Sequence, residues 1–471
     1  MTTVQSGRRE EAGDRERLAA EAVRAAEDVA ERLADPERVA AVAGRDGNRE
    51  PVYGAPVWEP TTLSHGHPGI ALLHAELSAV DGGWAEVAHR HVRAAAERLS
   101  SSPSVGLFGG PAAVLAATQA CAHRVPGSYV KLRRRLADWL ARDQTERLAA
   151  ASARREAGEV GVGWHDYDVI NGLSGTGRLL LEAADDPVER GPDTEAALEG
   201  TLRHLVRITE PIRHGGRELP GWWVPNGRQP VEQDRRDYPD GDFNLGLAHG
   251  IPGPLALFAA ALDRGREVPG QREAMRRIAE WLLSWRLEDG AGAYWPCRVS
   301  LEEQCSPERP GTAFTRTAWC YGAPGVASAL YRAGLAAGVP GWCTAATDAL
   351  RSALERDERL WRLEGTTVCH GLAGFLHVLW RVGSRSGDPV LLEGAARLAR
   401  DVLGRQDGAA AFLFPHLVPD SPEGWRDESA SVRPLDIAGV LEGAAGTACA
   451  LLSFARQGEA DPVWDRCLAL S

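Results

Sequence analysis

The stretch GLAHGIPGPLALFAAAL, residues 246–262, contains the pattern that predicts the fold of this chain. It has roughly the form G-x-x-G, followed by eight to ten apolar or small residues. Glycine lacks a Cβ atom, so a pair of glycines at a helix start permits unusual backbone angles and lets neighbouring backbones approach closely. The apolar run predicts a helix buried on most sides, because a helix that is hydrophobic all round must lie inside a fold.

The same form occurs seven times, which indicates an internal repeat. The segments begin at His65, Gly106, Gly172, Gly246, Tyr321, His370 and Leu441. Between them lie amphipathic stretches, such as those from Glu86 and Arg272, which predict outer helices. Strand-like alternation is weak. Buried inner helices alternating with amphipathic outer ones predict an all-α fold, an α/α toroid of about seven inner and seven outer helices.

We interpret the whole chain, residues 1–471, as a single toroid domain with three long rim loops. The loops are predicted near residues 211–244, 289–314 and 414–434. The first contains five prolines and the stretch GWWVPNGRQP, a composition that breaks helices and marks loops. Long loops within a compact domain are often functional.

Composition excludes several classes of protein. Hydrophobic residues make up 44% of the chain and charged residues 25%, as in an ordinary soluble globular protein. A net charge of −12 disfavours a nucleic-acid-binding protein, which usually has a basic face. No apolar run is long enough for a transmembrane helix, and the N-terminal residues lack the apolar core of a secretory signal. We therefore expect a cytoplasmic protein without direct membrane insertion.

Two groups of residues are expected to have structural roles only. Arg133, Arg134 and Arg135 are interpreted as a solvated helix face. The eight cysteines are too few and too scattered for a disulfide scaffold in a cytosolic chain of this length. Four of them lie among apolar residues and are expected to be small buried residues: Cys121, Cys343, Cys449 and Cys467.

The remaining chemistry concentrates at the starts of the fifth and sixth segments. Cys320 precedes Tyr321-Gly322, and Cys369-His370 precedes Gly371. Two thiolates and an imidazole suit Zn²⁺, and three protein ligands leave a fourth position open, as in catalytic sites. The alternative is that the cysteines are buried small residues and that the histidine caps a helix. A fourth ligand from Cys297 or Cys305 would make the site closed and structural.

Three further residues are candidates for catalysis. His249 lies at the start of the fourth segment, and an imidazole is the natural general acid or base near neutral pH. Asp168, just before the third segment, could hydrogen-bond a histidine of this rim, and Asp166 is the competing choice. Arg316 could stabilise developing negative charge, or it could be an exposed loop cation.

At these motifs the sequence resembles the lanthionine synthetase C family, the cyclases of lanthipeptide biosynthesis. The resemblance rests on WCYG, CHG, GLAHGIPG and YDVINGLSG and covers about residues 65–452. It implies an α/α toroid and one catalytic zinc, with ligands Cys320, Cys369 and His370. It also implies catalytic or supporting roles for Asp168, His249, Arg316 and Tyr321. Some family members carry a β-rich insertion, for which this sequence shows no clear strand-rich segment.

The resemblance further implies a reaction and its partners. A substrate cysteine thiol adds to a dehydroalanine or dehydrobutyrine of the same precursor peptide, and a thioether ring forms. The expected partners are the dehydrated lanthipeptide precursor and, in addition, a dehydratase and an export transporter. Two alternatives remain open: a relative that adds glutathione to dehydrated residues, and a non-catalytic peptide-binding scaffold that contains zinc.

Overall fold

The computed structural model describes residues 2–51, 54–101, 106–306, 316–420, 431–456 and 461–471. The α-helices of this part are α1 (Thr2–Arg32), α2 (Pro36–Ala43), α3 (His67–Leu77), α4 (Gly83–Ala96), α5 (Gly110–Arg124), α6 (Val130–Glu156), α7 (Leu173–Asp185), α8 (Pro192–Arg207), α9 (Glu232–Asp237), α10 (Pro252–Asp263), α11 (Gln271–Ser284), α12 (Leu301–Cys305), α13 (Ala323–Ala337), α14 (Pro340–Glu355), α15 (Leu372–Ser386), α16 (Pro389–Leu403) and α17 (Ala444–Ala455). All seven predicted inner helices are present: α3, α5, α7, α10, α13, α15 and α17.

The strands are short and lie in the predicted loops or at their edges. They are β1 (Ile212–His214), β2 (Arg217–Leu219), β3 (Asp242–Asn244), β4 (Leu287–Asp289), β5 (Gly292–Tyr294), β6 (Arg298–Ser300), β7 (His416–Pro419) and β8 (Val432–Leu435). They form four antiparallel pairs, β1–β2, β3–β6, β4–β5 and β7–β8. Residues 307–314 and 421–430 of the second and third predicted loops lie outside the described residues.

The chain divides into two compact units. The first comprises Met1–Ser102, Ala120–Pro126 and Leu363–Trp464. In it the inner helices α3, α15 and α17 are neighbours, with α4 packed on α3 and α16 on α15. The N-terminal helix α1 packs on α17 and α16, so an outer helix for the last segment comes from the start of the chain. The apolar side of α1 includes the buried residues Leu18, Ala22 and Val29.

The second unit comprises Pro103–Gln119, Gly127–Arg362 and Asp465–Ser471. Here α10 lies between α7 and α13, while α8, α11 and α14 pack outside them. All residues of α10 from Pro252 to Ala261 are buried, whereas α11 buries one side only. The predicted alternation of buried inner helices with amphipathic outer helices is therefore confirmed in each unit.

The repeated glycines are required because backbones approach closely. In four of the seven segments, a Cβ atom on the second glycine would lie about 2 Å from the carbonyl oxygen six residues earlier. The contacts are 2.1 Å from Gly69 to Leu63, 1.9 Å from Gly175 to Val169, 2.2 Å from Gly325 to Trp319 and 1.8 Å from Gly446 to Val440. The expected unusual backbone angles occur in two segments, at Gly322 with φ of 106° and at Gly106 and Gly110 with φ of 56° and 59°. Gly172 and Gly371 instead have φ of −105° and −115°.

The expectation of a solvated face at Arg133 is wrong. Its side chain is buried, contacts Asp186, and donates to Glu189 at 2.5 Å. Gln119 Nε2 donates to the same Glu189 carboxylate at 2.6 Å. Because the partners are distant in sequence, the local charge pattern did not indicate this ion pair.

The structural cysteines behave as expected with one exception. Cys121, Cys449 and Cys467 are buried, and Cys343 is only half-buried. Burial raises the pKa of Cys121 to about 12, so this thiol stays protonated and unreactive at neutral pH. No helix among the described residues is long and apolar enough to cross a membrane.

Three buried histidines in the first unit attach the end of α1 to α3 and α4. His91 Nδ1 lies 3.0 Å from His67 Nδ1, and His91 Nε2 lies 2.8 Å from the Leu33 carbonyl. His74 Nε2 lies 3.1 Å from the Ala30 carbonyl. Burial lowers the pKa of both His67 and His74 to about 4, so all three rings are uncharged at neutral pH.

These histidines predict that the protein loses stability as the pH falls from about 6.5 towards 4. In this window the unfolded chain binds protons that the folded chain does not, so the free energy of unfolding decreases with decreasing pH. One such histidine contributes on the order of 3 kcal/mol across the window. Urea unfolding of His74→Gln should show a shallower pH dependence than the wild type. The exposed His89 of α4 provides the control, and an equal slope in His74→Gln and His89→Gln would contradict the prediction.

A pair of glycine variants tests the close-approach argument. Gly175→Ala should lower the free energy of unfolding by about 2 kcal/mol or more, because the new methyl group meets the Val169 carbonyl. Gly341→Ala is the matched control in the same unit. Its Cβ atom would have nothing within 4 Å and it lies in α14, so alanine should raise stability by up to about 1 kcal/mol. Chemical denaturation of both variants should show opposite signs.

Candidate functional site

Three of the candidate site residues share one position in the repeat. Every segment contains the form X-G-x-x-G, where X is the residue just before the first glycine of that form. X is polar in six of the seven segments: His65, Asn171, His249, Tyr321, His370 and Glu442. Three of them were selected from the sequence. His65 and Glu442 were missed, although their equivalent position in the repeat was a signal that could have found them.

In the second unit, Asp168 and His249 form the hydrogen bond that the sequence suggested. Asp168 is fully buried, and its Oδ2 lies 2.7 Å from His249 Nδ1. The Asn171 amide donates to Asp168 Oδ1 at 2.7 Å. The Asp168 carbonyl also accepts from the Ser174 and Gly175 amides at the start of α7. The carboxylate is thus fixed by its own turn, and it holds one ring nitrogen of the histidine.

The Trp164 ring stacks on the ring of His249. The sequence analysis did not select Trp164 as a site residue. The two rings stack with centroids 4.5 Å apart at an interplanar angle of 29°. Arg298 lies over the Trp164 ring at 5.4 Å and over the Tyr238 ring at 4.2 Å. Its guanidinium is ion-paired with Asp234 at 2.6 Å. The His249 side chain keeps 23% exposure, so it is oriented and still accessible.

Asp166, the competing choice, has a different environment. Its carboxylate is paired with Arg154 and accepts from the Gly163 amide at 2.8 Å. It lies in the short turn Trp164–Asp166, and its backbone carbonyl contacts His204 Nε2 at 3.1 Å. The structure therefore places Asp168, and not Asp166, against His249.

The turn that carries Cys320 and Tyr321 is anchored by its neighbours. Trp319 is fully buried and donates from Nε1 to the Leu468 carbonyl at 3.0 Å. Cys320 is buried, and its carbonyl accepts from the Ala248 amide at 3.4 Å. This backbone bond places the cysteine turn beside the turn that carries His249.

Tyr321 Oη accepts from Asn244 Nδ2 at 3.0 Å. Burial raises the pKa of Tyr321 above its usual value, so the hydroxyl stays protonated and can donate. Arg316 is half-buried, and its carbonyl packs against Gly322, where a Cβ atom would lie 2.0 Å from it. Only glycine allows this approach, which fixes the backbone between Arg316 and the start of α13.

In the first unit, Cys369 and His370 lie at the start of α15. The Cys369 amide donates to the Leu441 carbonyl at 2.8 Å, and the Glu364 amide donates to the His370 carbonyl at 2.9 Å. His370 Nε2 lies 3.2 Å from Glu364 Oε2. These contacts hold the turn rigid and place a carboxylate on one nitrogen of the imidazole.

Around His370 lie three residues that sequence reasoning did not select. His65 Nε2 lies 2.9 Å from Glu442 Oε2, and the His416 ring lies 5.7 Å from that of His370. Burial opposes ionisation of Glu442, but the hydrogen bond with His65 and the nearby imidazoles of His65, His416 and His370 together outweigh burial and lower the pKa of Glu442. Burial lowers the pKa of His416. Glu442 is therefore a carboxylate at neutral pH, and His416 is mostly uncharged.

Within the first unit, Glu364, His370 and His416 form a candidate metal-binding group among the described residues, and their ligand atoms lie within 4.8 Å of one another. Cys369 lies in the same unit, directly before His370. Among the described residues, neither Cys297 nor Cys305 belongs to such a group.

The chain matches the profile of the family described as lanthionine synthetase C-like protein over residues 57–469. It belongs to this lanthionine synthetase C-like family. Nisin biosynthesis protein NisC from Lactococcus lactis subsp. lactis is 28% identical over 214 residues, which are 45% of this chain and 48% of that relative. The aligned part of the chain thus spans about half the length of the curated relative.

A solved structure named nisin cyclase shares the fold. Its TM-score is 0.68 at 21% sequence identity, and the superposition covers 87% of this chain and 92% of the other. This likeness confirms the predicted all-α toroid for the lanthionine synthetase C-like chain, and at this identity it concerns the fold alone.

Proposed function

We propose that this protein is a zinc-dependent lanthipeptide cyclase. It catalyses the intramolecular addition of peptide cysteine thiols to dehydroalanine or dehydrobutyrine, and it forms lanthionine or methyllanthionine rings. The observation that carries the proposal is the 2.7 Å contact between the buried Asp168 carboxylate and the accessible His249 ring in a member of the lanthionine synthetase C-like family. The names of NisC and nisin cyclase support it, since both proteins are named for the biosynthesis or cyclisation of nisin.

The donor set fits zinc. By the chemistry of their side chains, Cys320, Cys369 and His370 offer two sulfurs and one nitrogen, the ligands that Zn²⁺ prefers, and a substrate thiol would be the fourth ligand. Glu364 contacts one ring nitrogen of His370, the carboxylate–imidazole arrangement common among metal-binding histidines. When bound, zinc would lower the pKa of the substrate thiol so that it is a thiolate at neutral pH.

The protein's own residues supply the proton for the α-carbon and stabilise the negative charge of the enolate. As the thiolate sulfur bonds to the β-carbon of the dehydro residue, the π electrons of the double bond move to form an enolate. His249 donates a proton to the α-carbon, while Asp168 fixes the orientation of its ring and Trp164 stacks on it. The protonated hydroxyl of Tyr321 and the cation of Arg316 stabilise the negative charge that forms on the substrate.

The proposed partner is the dehydrated precursor peptide, which a dehydratase must supply and an export transporter would remove. Addition of glutathione to dehydrated residues is the second candidate, since it uses the same thiol chemistry. A non-catalytic scaffold is the third, and a zinc ion saturated by Cys297 or Cys305 would favour it. The proposed single domain and cytoplasmic location remain predictions.

Incubation with a dehydrated precursor separates these candidates. A cyclase consumes the free thiols of the peptide without a change in its mass, as counted by alkylation and mass spectrometry. A glutathione-adding enzyme increases the peptide mass by one or more glutathiones. Unchanged thiol content with zinc bound would overturn the cyclase proposal and support the scaffold.

The Asp168 carboxylate should be required for turnover. Asp168→Asn keeps the shape of the side chain but removes the charge that pairs with His249, so ring formation should slow by about 10²-fold or more with zinc content unchanged. The rate of thiol loss from the dehydrated precursor measures the effect. Asp193→Asn changes an exposed carboxylate at the start of α8 and should leave the rate unchanged. Equal rates in both variants would refute the role given to Asp168.

Zinc content tests the ligands independently of activity. The wild type should bind about one zinc per chain, and Cys320→Ala or Cys369→Ala should lose most of it. The control is Cys343→Ala, which changes a half-buried cysteine of α14 and should retain the metal. Elemental analysis of the purified variants provides the measurement. Full zinc occupancy and full ring formation in Cys369→Ala would exclude Cys369 as a ligand.

A further inference from the structure

The second unit contains a cavity that the proposed chemistry does not use. Its volume is about 430 Å³, within the range of sites that bind small ligands. The C-terminal ends of α6 and α8 form two sides, and residues around 158–166 and 210–213 form the others. All lining residues belong to the described part of this unit.

The cavity is basic, although the protein as a whole has a net charge of −12. Five arginines line it, Arg154, Arg155, Arg207, Arg213 and Arg228, against three carboxylates, Glu159, Asp166 and Glu210. Arg154 is paired with Asp166, and Arg228 with Glu159. In the described part of the chain, the other three arginines have no carboxylate within ion-pair distance. Positive charge therefore exceeds negative charge at this surface.

Two of the arginines without an ion-pair partner affect one another. Burial and, next, the positive charge of Arg207 lower the pKa of Arg155, and the smaller effects of Glu156 and Glu210 raise it. His204 adds no charge, because burial lowers its pKa to about 4. The exposed guanidiniums of Arg155 and Arg207 therefore suit a carboxylate or phosphate ligand. Arginine binds such groups through paired N–H donors.

The rest of the lining favours a peptide over a small inorganic anion. Val162 and Ile208 are buried apolar residues of the wall, and Val160, Pro211 and Ile212 add further apolar surface. A volume of this size with apolar walls would be mostly unfilled by a single phosphate. A peptide that carries acidic and aliphatic side chains would satisfy both the guanidiniums and the apolar walls.

The cavity also borders the turn Trp164–Asp166, which contacts the candidate catalytic residue His249. Asp166 lines the cavity and ends the turn Trp164–Asp166, whose first residue stacks on His249. Asp168 follows two residues later and bonds to the same histidine. A ligand in the cavity would therefore be held next to the turn that orients His249.

We propose that this cavity is a docking site for an acidic segment of the precursor peptide, with Arg155 and Arg207 as its main carboxylate-binding residues. The proposal rests on the proposed function, since it assumes that the substrate is a peptide. The carboxylates of the segment bind the two guanidiniums, while its aliphatic side chains contact the apolar wall.

Fluorescence anisotropy with the full chain and a labelled decapeptide of alternating Asp and Leu tests the proposal. The peptide should bind, more weakly at higher salt, and a decapeptide of alternating Asn and Leu should not. The double variant Arg155→Gln/Arg207→Gln should weaken binding by about fivefold to tenfold, the loss of two partly exposed charge pairs. Arg203→Gln is the matched control, since Arg203 lies one turn earlier on α8 and pairs with Glu199 outside the cavity.

Three results would overturn the proposal: no binding of the acidic peptide, equal binding to the double variant, or equal binding of the neutral peptide. Inorganic phosphate provides a further arm. If phosphate binds through the two arginines and the peptide does not, the cavity is a small-anion site. Because the readout is binding and not ring formation, failure here leaves the zinc content and thiol assays to decide the proposed function separately.

Discussion

The close approach of backbone to backbone at the start of each inner helix is the constraint on which this structure depends. The turn before the helix folds over its first residues, so that a carbonyl oxygen lies where a Cβ atom would be. Van der Waals repulsion at about 2 Å excludes every side chain, which is why glycine recurs there. Glycine is required by contact distance in most segments, and by a positive φ at Gly106, Gly110 and Gly322.

This constraint also positions the candidate catalytic side chains in the turns before the inner helices. The residues of the turn before the first glycine have little conformational freedom, so their side chains are held in defined directions. Asp168 illustrates the coupling: its carbonyl accepts the first amides of α7 while its carboxylate bonds to His249 before α10. A single buried residue thereby joins the start of one inner helix to the candidate proton donor at the next. Such preorganisation is what a general acid needs, because it removes the cost of orienting the ring during the reaction.

Charge is distributed unevenly in this acidic protein. Carboxylates contact the imidazoles of His249, His370 and His65, where they fix the orientation of the rings. Arginines without carboxylate partners instead gather at the cavity beside α6 and α8. The first arrangement suits proton transfer and metal binding, and the second suits recognition of an anionic ligand.

The sequence alone determined the seven inner helices, the alternation with outer helices and the ligand-type residues at Cys320, Cys369 and His370, because these depend on local periodicity and on repeated short motifs. The hydrogen bond between Asp168 and a rim histidine could also be anticipated, since both residues lie at helix starts. Only the tertiary structure decided which residues that are distant in the sequence contact one another. It placed Trp164 on His249, Glu442 against His65, and Arg133 in a buried ion pair with Glu189. It also brought Arg155 and Arg207 to one cavity. These contacts join side chains from separate helices and loops, and the repeat pattern does not specify which individual side chains from those elements meet.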